Sequence, residues 1–489
     1  MNKTLTVVSL CLKLAISAQV VTMNFGEETE KYQIKNSKEK SFISGGNYYF
    51  LTTNFSDAQT HYYLESFGSN GESMGNVKLE VPVGVYNNSF SISDVLGLEE
   101  NVFVTVEHLD KPSGKKTLYA KKLNVSGNIA NDGKEIMSFP FSKTMNSGFN
   151  LTSVSPNQKK MAVIGLLPYE KKMSAKVKVA VYDENLNEVS STLVTIPGVD
   201  TKNKRLLVNV ANDGTVYLTK RTKTSKRGII LEIFQVAGES IEKEYTFDLT
   251  LANRIYNHIQ TVNDVNELII AGTYYEQKSL VVGNQPTNGI FYFTNKEKKE
   301  GVFRINSFET PINTLEPKKI LFSDNTVYLA AEQLKETRQD PAPSTAGTAA
   351  AFDYNYTFDH GNEYVIGLDF EGNSKFQLEF DQSFSVRNFH QQYQSSYYIL
   401  GDKFTIVYND LANKFLEEGD TCYSSIMPVL VQVSDEGLMT SPVQFKNELK
   451  VPYSFTMYPS ISIQKNSNQI VMLMKNNEYS KFVNLKVED

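Results

Sequence analysis

Histidine is the natural first residue to test for chemistry in this sequence, because its side chain serves both as an acid or base and as a metal ligand. The chain has five, and no two are four residues apart or part of a His/Glu helix motif, so the sequence predicts no local metal site. Each is interpreted as an ordinary surface or core residue. They are His61, His108, His258, His360 and His390.

Motifs for nucleophilic catalysis and phosphate binding are also absent. The chain contains neither the G-x-S-x-G nucleophile elbow nor the G-x-x-x-x-G-K-[ST] phosphate loop. A Ser/His/Asp set assembled in space stays open, because such triads are not local in sequence. We therefore predict no catalytic residue, metal or cofactor, and favour a protein that is not an enzyme.

Two charged segments have a ligand-binding interpretation and a simpler one. Asp353, Asn355 and Asp359 resemble part of a calcium loop, but the central Gly and terminal Glu are missing. The segment KRTKTSKRG, residues 220–228, carries five basic residues and is interpreted as a charged hairpin loop rather than an anion site.

Composition excludes several classes of protein. The formal net charge is −6, which disfavours nucleic acid as a partner. No apolar stretch of 18 residues follows the N-terminal segment, so no membrane span is predicted and any membrane association is peripheral. The 27 Tyr and 29 Phe residues favour strands.

The N-terminal segment MNKTLTVVSLCLKLAISAQ is typical of a secretory signal peptide. Lys3 gives a positive start, an apolar run follows, and small residues end at Ala18. We predict that residues 1–18 are removed before Gln19 and that residues 19–489 are exported to the periplasm or cell surface. The alternative is a buried first strand. After cleavage only Cys422 remains, so no internal disulfide is predicted.

A repeat dominates the rest of the chain. ANDGTVYLTK at Ala211 resembles SDNTVYLAA at Ser323, and six more apolar segments follow a turn residue or polar pair in the same way. The intervals between successive copies are 52 to 77 residues. The eight copies start at Gly46, Glu100, Lys159, Gly214, Asn266, Asn325, Asp402 and Asn468.

Further strand and turn segments accompany each copy, which gives about four strands per unit and no helical pattern. This predicts an all-β chain folded as a single β-propeller of eight four-stranded blades. Tandem β-sandwiches are the alternative. The last unit lacks a strand, and we predict that the N-terminal segment EKYQIKN, Glu30–Asn36, supplies it and closes the ring.

The repeated DG-x-VYL units resemble those of secreted β-propellers, and the SAQ signal end resembles exported proteins of the Bacteroidota. The resemblance covers nearly the whole mature chain, and it implies a fold and a compartment but no functional residue. The chain has no Trp, so the WD dipeptide and the Trp-bearing Asp-box are absent.

Long connections between the second and third strands predict the working face. They occur in the fifth blade from Tyr274, in the sixth over about thirty residues from Glu332, and in the seventh from Asn409. All such connections emerge on one face of a propeller. In the sixth, alternating aromatics share one side of an extended strand. They form either a binding surface or packing against their own blade. The predicted binding residues are Tyr274, Tyr275, Phe352, Tyr354, Tyr356 and Phe358.

Three functions are consistent with these features. The leading hypothesis is a non-catalytic, protein-binding propeller of the cell envelope, such as an accessory subunit of an outer-membrane secretion, transport or biogenesis assembly. The alternative is a carbohydrate-active or glycan-binding secreted propeller. A cluster of three or more Asp, Glu or His at the channel mouth would favour an enzyme, and an apolar aromatic patch on the face with the long connections would favour the protein-binding hypothesis. A secreted eukaryotic glycoprotein is suggested by acceptor triplets at Asn54, Asn87, Asn124, Asn150 and Asn355.

Overall fold

The strands of this chain are seen in a computed structural model. It describes residues 20–30, 38–56, 59–81, 88–124, 127–141, 148–198, 206–223, 229–248, 253–276, 286–296, 301–339, 355–382, 384–387, 394–411, 426–444, 456–475 and 479–488. Among these residues, no helix is long and apolar enough to cross a membrane.

The strands form eight separate sheets, which are the blades of the propeller. The N-terminal strand is β1 (Val20–Glu30). Blade 1 contains β2 (Lys38–Ser44), β3 (Asn47–Ser56), β4 (Gln59–Phe67) and β5 (Ser73–Leu79). Blade 2 contains β6 (Asn88–Leu98), β7 (Asn101–Asp110), β8 (Lys115–Lys122) and β9 (Lys134–Pro140). Blade 3 contains β10 (Phe149–Val154), β11 (Lys160–Leu166), β12 (Ala175–Asp183) and β13 (Glu188–Ile196). Blade 4 contains β14 (Leu206–Val210), β15 (Val216–Lys223), β16 (Ile229–Ala237) and β17 (Ser240–Asp248).

The second half of the chain repeats the arrangement. Blade 5 contains β18 (Asn253–Val262), β19 (Leu268–Glu276), β20 (Pro286–Thr294) and β21 (Val302–Asn313). Blade 6 contains β22 (Leu315–Phe322), β23 (Val327–Gln339), β24 (Asn355–Leu368), β25 (Ser374–Phe380) and the short β26 (Phe384–Arg387). Blade 7 contains β27 (Ser396–Leu400), β28 (Lys403–Leu411), β29 (Ile426–Val433) and β30 (Val443–Gln444). Blade 8 contains β31 (Thr456–Met457), a 3-10 turn (Pro459–Ile461), β32 (Ile463–Asn466), β33 (Gln469–Lys475) and β34 (Tyr479–Glu488).

Blades 1 to 7 are antiparallel meanders whose four main strands follow chain order, and blade 8 takes its outer strand, β1, from the N-terminal segment. The predicted all-β, eight-bladed propeller is confirmed. The first strands of neighbouring blades pack together around the central channel, and the fourth strands form the exposed rim. The second strands are the apolar segments of the repeat. In β11 and β33 every residue after the first is buried, as expected of strands covered on both faces.

The ring is closed by the N-terminal strand, but not by the segment that the sequence predicted. β1 pairs antiparallel with β34 from Val20 opposite Glu488 to Glu30 opposite Tyr479. The predicted segment Glu30–Asn36 shares only Glu30 with this strand, and residues 31–37 lie outside the described residues. The correction has a simple cause. The sequence of Val20–Phe25 has apolar residues at alternate positions, as a strand does, whereas the prediction was based on strand count alone.

The repeated turn before each second strand ties one blade to the next. In blade 4, the Gly214 amide donates to the Ala211 carbonyl at 3.0 Å, and Gly214 has a φ of +94°, which glycine adopts without strain. The Asn212 side chain accepts from the Asn157 amide of blade 3 at 3.0 Å. The backbone N–H of Asn212 in turn donates to Asn266 Oδ1 of blade 5 at 2.8 Å. The turn is repeated because it joins successive blades.

Apolar clusters lie between every pair of neighbouring blades and form the core of the described residues. The cluster between blades 8 and 1 completes the circle. Its Phe482 ring lies 5.4 Å from Tyr48 and 5.3 Å from Phe67. The core is therefore a continuous ring, and removal of one blade would expose the apolar faces of two others.

Blade 6 differs from the others because its second and third strands are long. The predicted loop of about thirty residues from Glu332 is wrong in extent, since β23 continues to Gln339 and β24 resumes at Asn355. The hairpin of β23 and β24 extends past the first strand of the blade, β22, and its extension pairs with β26 through β24. Glu276, Gln339 and Leu411 end the second strands of blades 5, 6 and 7. By the meander topology these three ends lie on one face, which we call the loop face.

Candidate functional site: a polar pocket in the central channel

A cavity of about 410 Å³ lies where the first strands of blades 6 and 7 meet those of blades 8 and 1. We call it the channel pocket. First strands run antiparallel to second strands, so they begin at the loop face. The pocket residues on the first strands of blades 6 and 7 lie toward the beginnings of β22 and β27, and the pocket therefore lies toward the loop face. It is lined by Ser41, Lys318, Lys319, Glu332, Gln394, Ser395, Ser396, Tyr397, Tyr398 and Ser462.

A β-bulge brings two adjacent lysines to this pocket. In the pairing of β22 with β23, Pro317 lies opposite Ala331 and Lys319 lies opposite Ala330, so Lys318 is the extra residue. Regular strands point neighbouring side chains to opposite faces, whereas a bulge re-aims them. This irregularity explains how both Lys318 and Lys319 line one cavity.

Lys318 is neutralised by carboxylates. Its Nζ lies 3.0 Å from Glu332 Oε2 and 3.3 Å from Glu316 Oε2. Burial by itself lowers the pKa of Lys318, but the attraction of these two carboxylates outweighs burial and the pKa is raised. Lys318 is therefore a fixed ammonium whose charge is compensated inside the protein.

Glu332 is the centre of a buried network. Its side chain is 3% exposed and contacts Lys318 and the Nδ1 atom of His360. Burial alone would raise the pKa of Glu332, but the His360 hydrogen bond and the Lys318 charge lower it. Glu332 is therefore ionised at neutral pH.

Glu363 lies directly opposite Glu332 in the β23–β24 pairing and has the other protonation state. It accepts hydrogen bonds from Tyr397 OH at 2.7 Å and Ser395 Oγ at 2.5 Å. Complete burial, with the Glu332 charge as a second cause, raises the pKa of Glu363 to about 8. One carboxyl of the facing pair is thus charged and the other neutral at pH 7, because two adjacent buried carboxylates repel.

Lys319 differs from Lys318 in its exposure and in its partners. Its side chain is exposed to the channel, and its Nζ donates to the Tyr397 carbonyl at 3.1 Å and lies 5.2 Å from the Tyr398 ring centroid. No carboxylate of the described residues lies within 4.0 Å of it. The surrounding channel walls still displace water and lower the pKa of Lys319. Lys319 is the cation of this pocket that has no acidic partner in the described part of the chain.

Hydroxyl groups form much of the remaining wall. The Tyr398 hydroxyl contacts Ser462 Oγ, which donates to Ser396 Oγ at 2.9 Å, and Ser41 Oγ donates to the Ser462 carbonyl at 3.3 Å. Burial raises the pKa of Tyr398 to about 12, so its phenol stays protonated. The site offers one uncompensated cation and several hydroxyls, which suits a small anionic ligand with hydroxyl groups of its own.

The residues predicted from the sequence are not brought together at this pocket. Tyr274 is 1% exposed, and its hydroxyl contacts Ser307 Oγ at 2.7 Å. It is a core residue of β19, so its prediction as a surface contact is wrong. Tyr275, the next residue of that strand, is half-buried.

The aromatic series of blade 6 is only partly described. Tyr356 and Phe358 lie in β24, opposite Arg338 and Glu336 of β23, and Phe358 is half-buried. Phe352 and Tyr354 lie outside the described residues. Binding by this aromatic face therefore stays a prediction. Asp353 is also outside, and no cluster of metal-binding side chains occurs in the described part of the chain.

Sequence reasoning missed Lys318, Lys319, Glu332, His360 and Glu363. One signal was present in the sequence. Glu332 directly follows the apolar run VYLAA and Glu363 directly precedes the apolar run YVIGL, and a carboxylate that is buried beside such a run requires a partner. The partners themselves come from other strands and depend on the bulge, which the sequence pattern does not reveal.

Comparison with known proteins adds little to this description. No protein-family model matches the chain, and no curated protein matches it in sequence. Among solved structures, the WD40 domain of SCAP from fission yeast is 10% identical over 95% of this chain and 94% of its own, with a TM-score of 0.33. The polysaccharide lyase Uly1 is 10% identical over 95% of this chain and all of its own, with a TM-score of 0.38.

An endo-arabinase from Bacteroides thetaiotaomicron is 7% identical and covers 59% of this chain and 98% of its own, with a TM-score of 0.27. All three TM-scores are below 0.5, so none of these likenesses indicates what this chain does. The assignment as a propeller rests on its own eight sheets.

Proposed function

We propose that this chain is a glycan-binding propeller that holds an acidic sugar in the channel pocket. The observation that carries the proposal is Lys319, an exposed ammonium that faces a polar cavity without an acidic partner among the described residues. A charge of this kind is best stabilised by an anion from outside the protein. The other cation of the pocket, Lys318, is already neutralised.

The size and lining of the pocket support a sugar. A volume of about 410 Å³ falls in the range of roughly 300–1,000 Å³ that small-molecule sites occupy. Phosphate sites usually combine several donors, such as arginine forks, backbone amides and lysines, which complement multiple charged oxygens. This pocket has one uncompensated lysine surrounded by serine, tyrosine and glutamine side chains. One carboxylate and several hydroxyls, as in a uronic acid, complement that set.

The cluster of Glu332, His360 and Glu363 lies next to the pocket. A cluster of this kind open to the channel mouth would favour an enzyme. The network is enclosed, since each of the three residues is at most 2% exposed. It therefore supports the walls of the pocket, and we assign it no catalytic step.

The proposal is tested by titrating the native protein with D-glucuronate and with D-glucose, which differ by the carboxylate that Lys319 would bind. Isothermal calorimetry or ligand-observed NMR is suitable for both sugars. We expect glucuronate to bind at least about tenfold more tightly, a difference of about 1.4 kcal/mol. Equal affinities, or no binding of glucuronate, would contradict the proposal.

We also propose that the protein is exported. The support is the N-terminal pattern of Lys3, an apolar run and small residues ending at Ala18, all outside the described residues. The mass of the N-terminal peptide from the native host decides this point, since an intact Met1 is incompatible with cleavage.

A further inference from the structure

Two lysines that are adjacent in sequence have opposite surroundings in the channel pocket. Lys318 is 22% exposed and lies within 3.3 Å of two carboxylates. Lys319 is exposed to the cavity, and among the described residues it contacts the Tyr397 carbonyl and the Tyr398 ring. The reactivity of two amines with different neighbours can therefore be compared within one pocket.

The two surroundings have different consequences for reactivity. An amine is nucleophilic only when it has lost a proton, and a nearby carboxylate opposes that loss. The carboxylates of Glu332 and Glu316 keep Lys318 protonated. Lys319 has no such partner among the described residues, and its hydrogen bond to the Tyr397 carbonyl is one that a neutral amine also donates.

We propose that Lys319 is a nucleophilic amine that condenses with small polar aldehydes entering the channel pocket, such as the open-chain form of a sugar. Its nitrogen attacks the carbonyl carbon and forms a C–N bond. The carbonyl oxygen then leaves as water, which gives an imine without any oxidant or reductant. The lowered pKa of Lys319 favours this reaction near neutral pH, because more of the amine is unprotonated.

The pocket has the space and the polarity that this reaction requires. Its volume of about 410 Å³ accommodates a small hydroxyaldehyde beside Lys319. The hydroxyls of Ser396 and Ser462 lie in the same wall and match the hydroxyls of such a ligand. The inference goes beyond the binding of an acidic sugar, since it concerns a covalent bond to the neutral amine.

The experiment treats the native protein at pH 7 with D-glyceraldehyde and cyanoborohydride, which delivers hydride to the imine carbon and makes the adduct permanent. Peptide fragmentation by mass spectrometry then separates modification of Lys319 from that of Lys318. The exposed Lys171, on a turn of blade 3, is the reference for an ordinary surface amine.

We expect Lys319 to be modified at least about tenfold faster than Lys318, because two carboxylates hold Lys318 protonated, and faster than Lys171. In Lys319→Arg, which keeps the charge, only this modification should be lost. Labelling of Lys319 at or below the rate of Lys171 would overturn the inference. That result would leave the titration with glucuronate unaffected, so the two proposals fail separately.

Discussion

Polar side chains on the first strands behave differently in two parts of the ring. In blades 1 to 5 several of them bond to one another across blade boundaries. Asp94 of blade 2 contacts Lys40 Nζ of blade 1 and Thr152 Oγ1 of blade 3, each at 3.1 Å. Gln260 of blade 5 donates to Asn209 of blade 4 at 2.6 Å. In blades 6 to 8, the equivalent strands enclose a cavity, and Lys319 has no acidic partner among the described residues.

Bulges alone do not cause this difference. First strands of blades 2, 5 and 6 each contain one, with Ser93, Tyr256 and Lys318 as the extra residues. In blade 2 the residue after the bulge is Asp94, which pairs with its neighbours. In blade 6 it is Lys319, which faces the pocket. The same backbone irregularity therefore has two outcomes. In blade 2 it precedes a side chain that links neighbouring blades, and in blade 6 it precedes a side chain that faces the cavity.

The largest effect is expected from removing the charge that organises the pocket wall. Glu332→Gln places a neutral amide beside Lys318 and His360, and Lys318 keeps only Glu316, the more distant of its two carboxylates. We expect a loss of about 3 kcal/mol in the free energy of unfolding, the scale for breaking a buried pair. Denaturant unfolding measures it.

Asp94→Asn is the matched control in the other part of the ring. The Lys40–Asp94 pair is partly exposed, with side chains 45% and 30% accessible, so we expect a loss of at most about 1 kcal/mol. Equal losses in the two variants would remove the distinction between the two parts of the ring.

A smaller, pH-dependent effect is expected at Glu363. Its pKa rises from the ordinary 4.5 to about 8 on folding, so within that window the folded protein binds a proton that the unfolded chain has released. Stability from this group therefore falls as the pH rises from about 4.5 to about 8. Glu363→Gln, which mimics the neutral carboxyl, should lose this dependence.

Unfolding curves of both proteins at pH 6 and pH 9 test this sign. The native protein should lose more stability between the two values than Glu363→Gln does, by at least about 1 kcal/mol, because one pKa unit corresponds to about 1.4 kcal/mol. Parallel losses would show that Glu363 is not a neutral carboxyl in the fold.

The sequence was sufficient for the fold because the repeat is local. The turn that begins at Ala211 and the apolar strand after it recur in every blade, so eight four-stranded blades could be predicted by counting. Closure of the ring by an N-terminal strand was predicted, but the wrong segment was chosen. Strand count does not specify which alternating segment pairs with β34. The pocket could not be predicted, because Lys319, Tyr397 and Ser462 come from three blades and meet only when the ring forms.

Tyr274 was predicted to lie at a loop, and the structure places it in a buried strand. Its position before a long connection indicated a loop, but β19 continues through it and places the ring in the core. Long connections mark the face that carries them, yet they do not show where a strand ends.

The most direct measurement is the affinity of the Lys319→Met variant for D-glucuronate beside that of the native protein. Methionine keeps an unbranched side chain and removes the charge. Because Lys319 is exposed and has no acidic partner among the described residues, we expect the variant to unfold within about 0.5 kcal/mol of the native protein. We expect its affinity to fall at least about tenfold, toward that of glucose. Unchanged glucuronate binding by a stable Lys319→Met protein would contradict the account of the channel pocket.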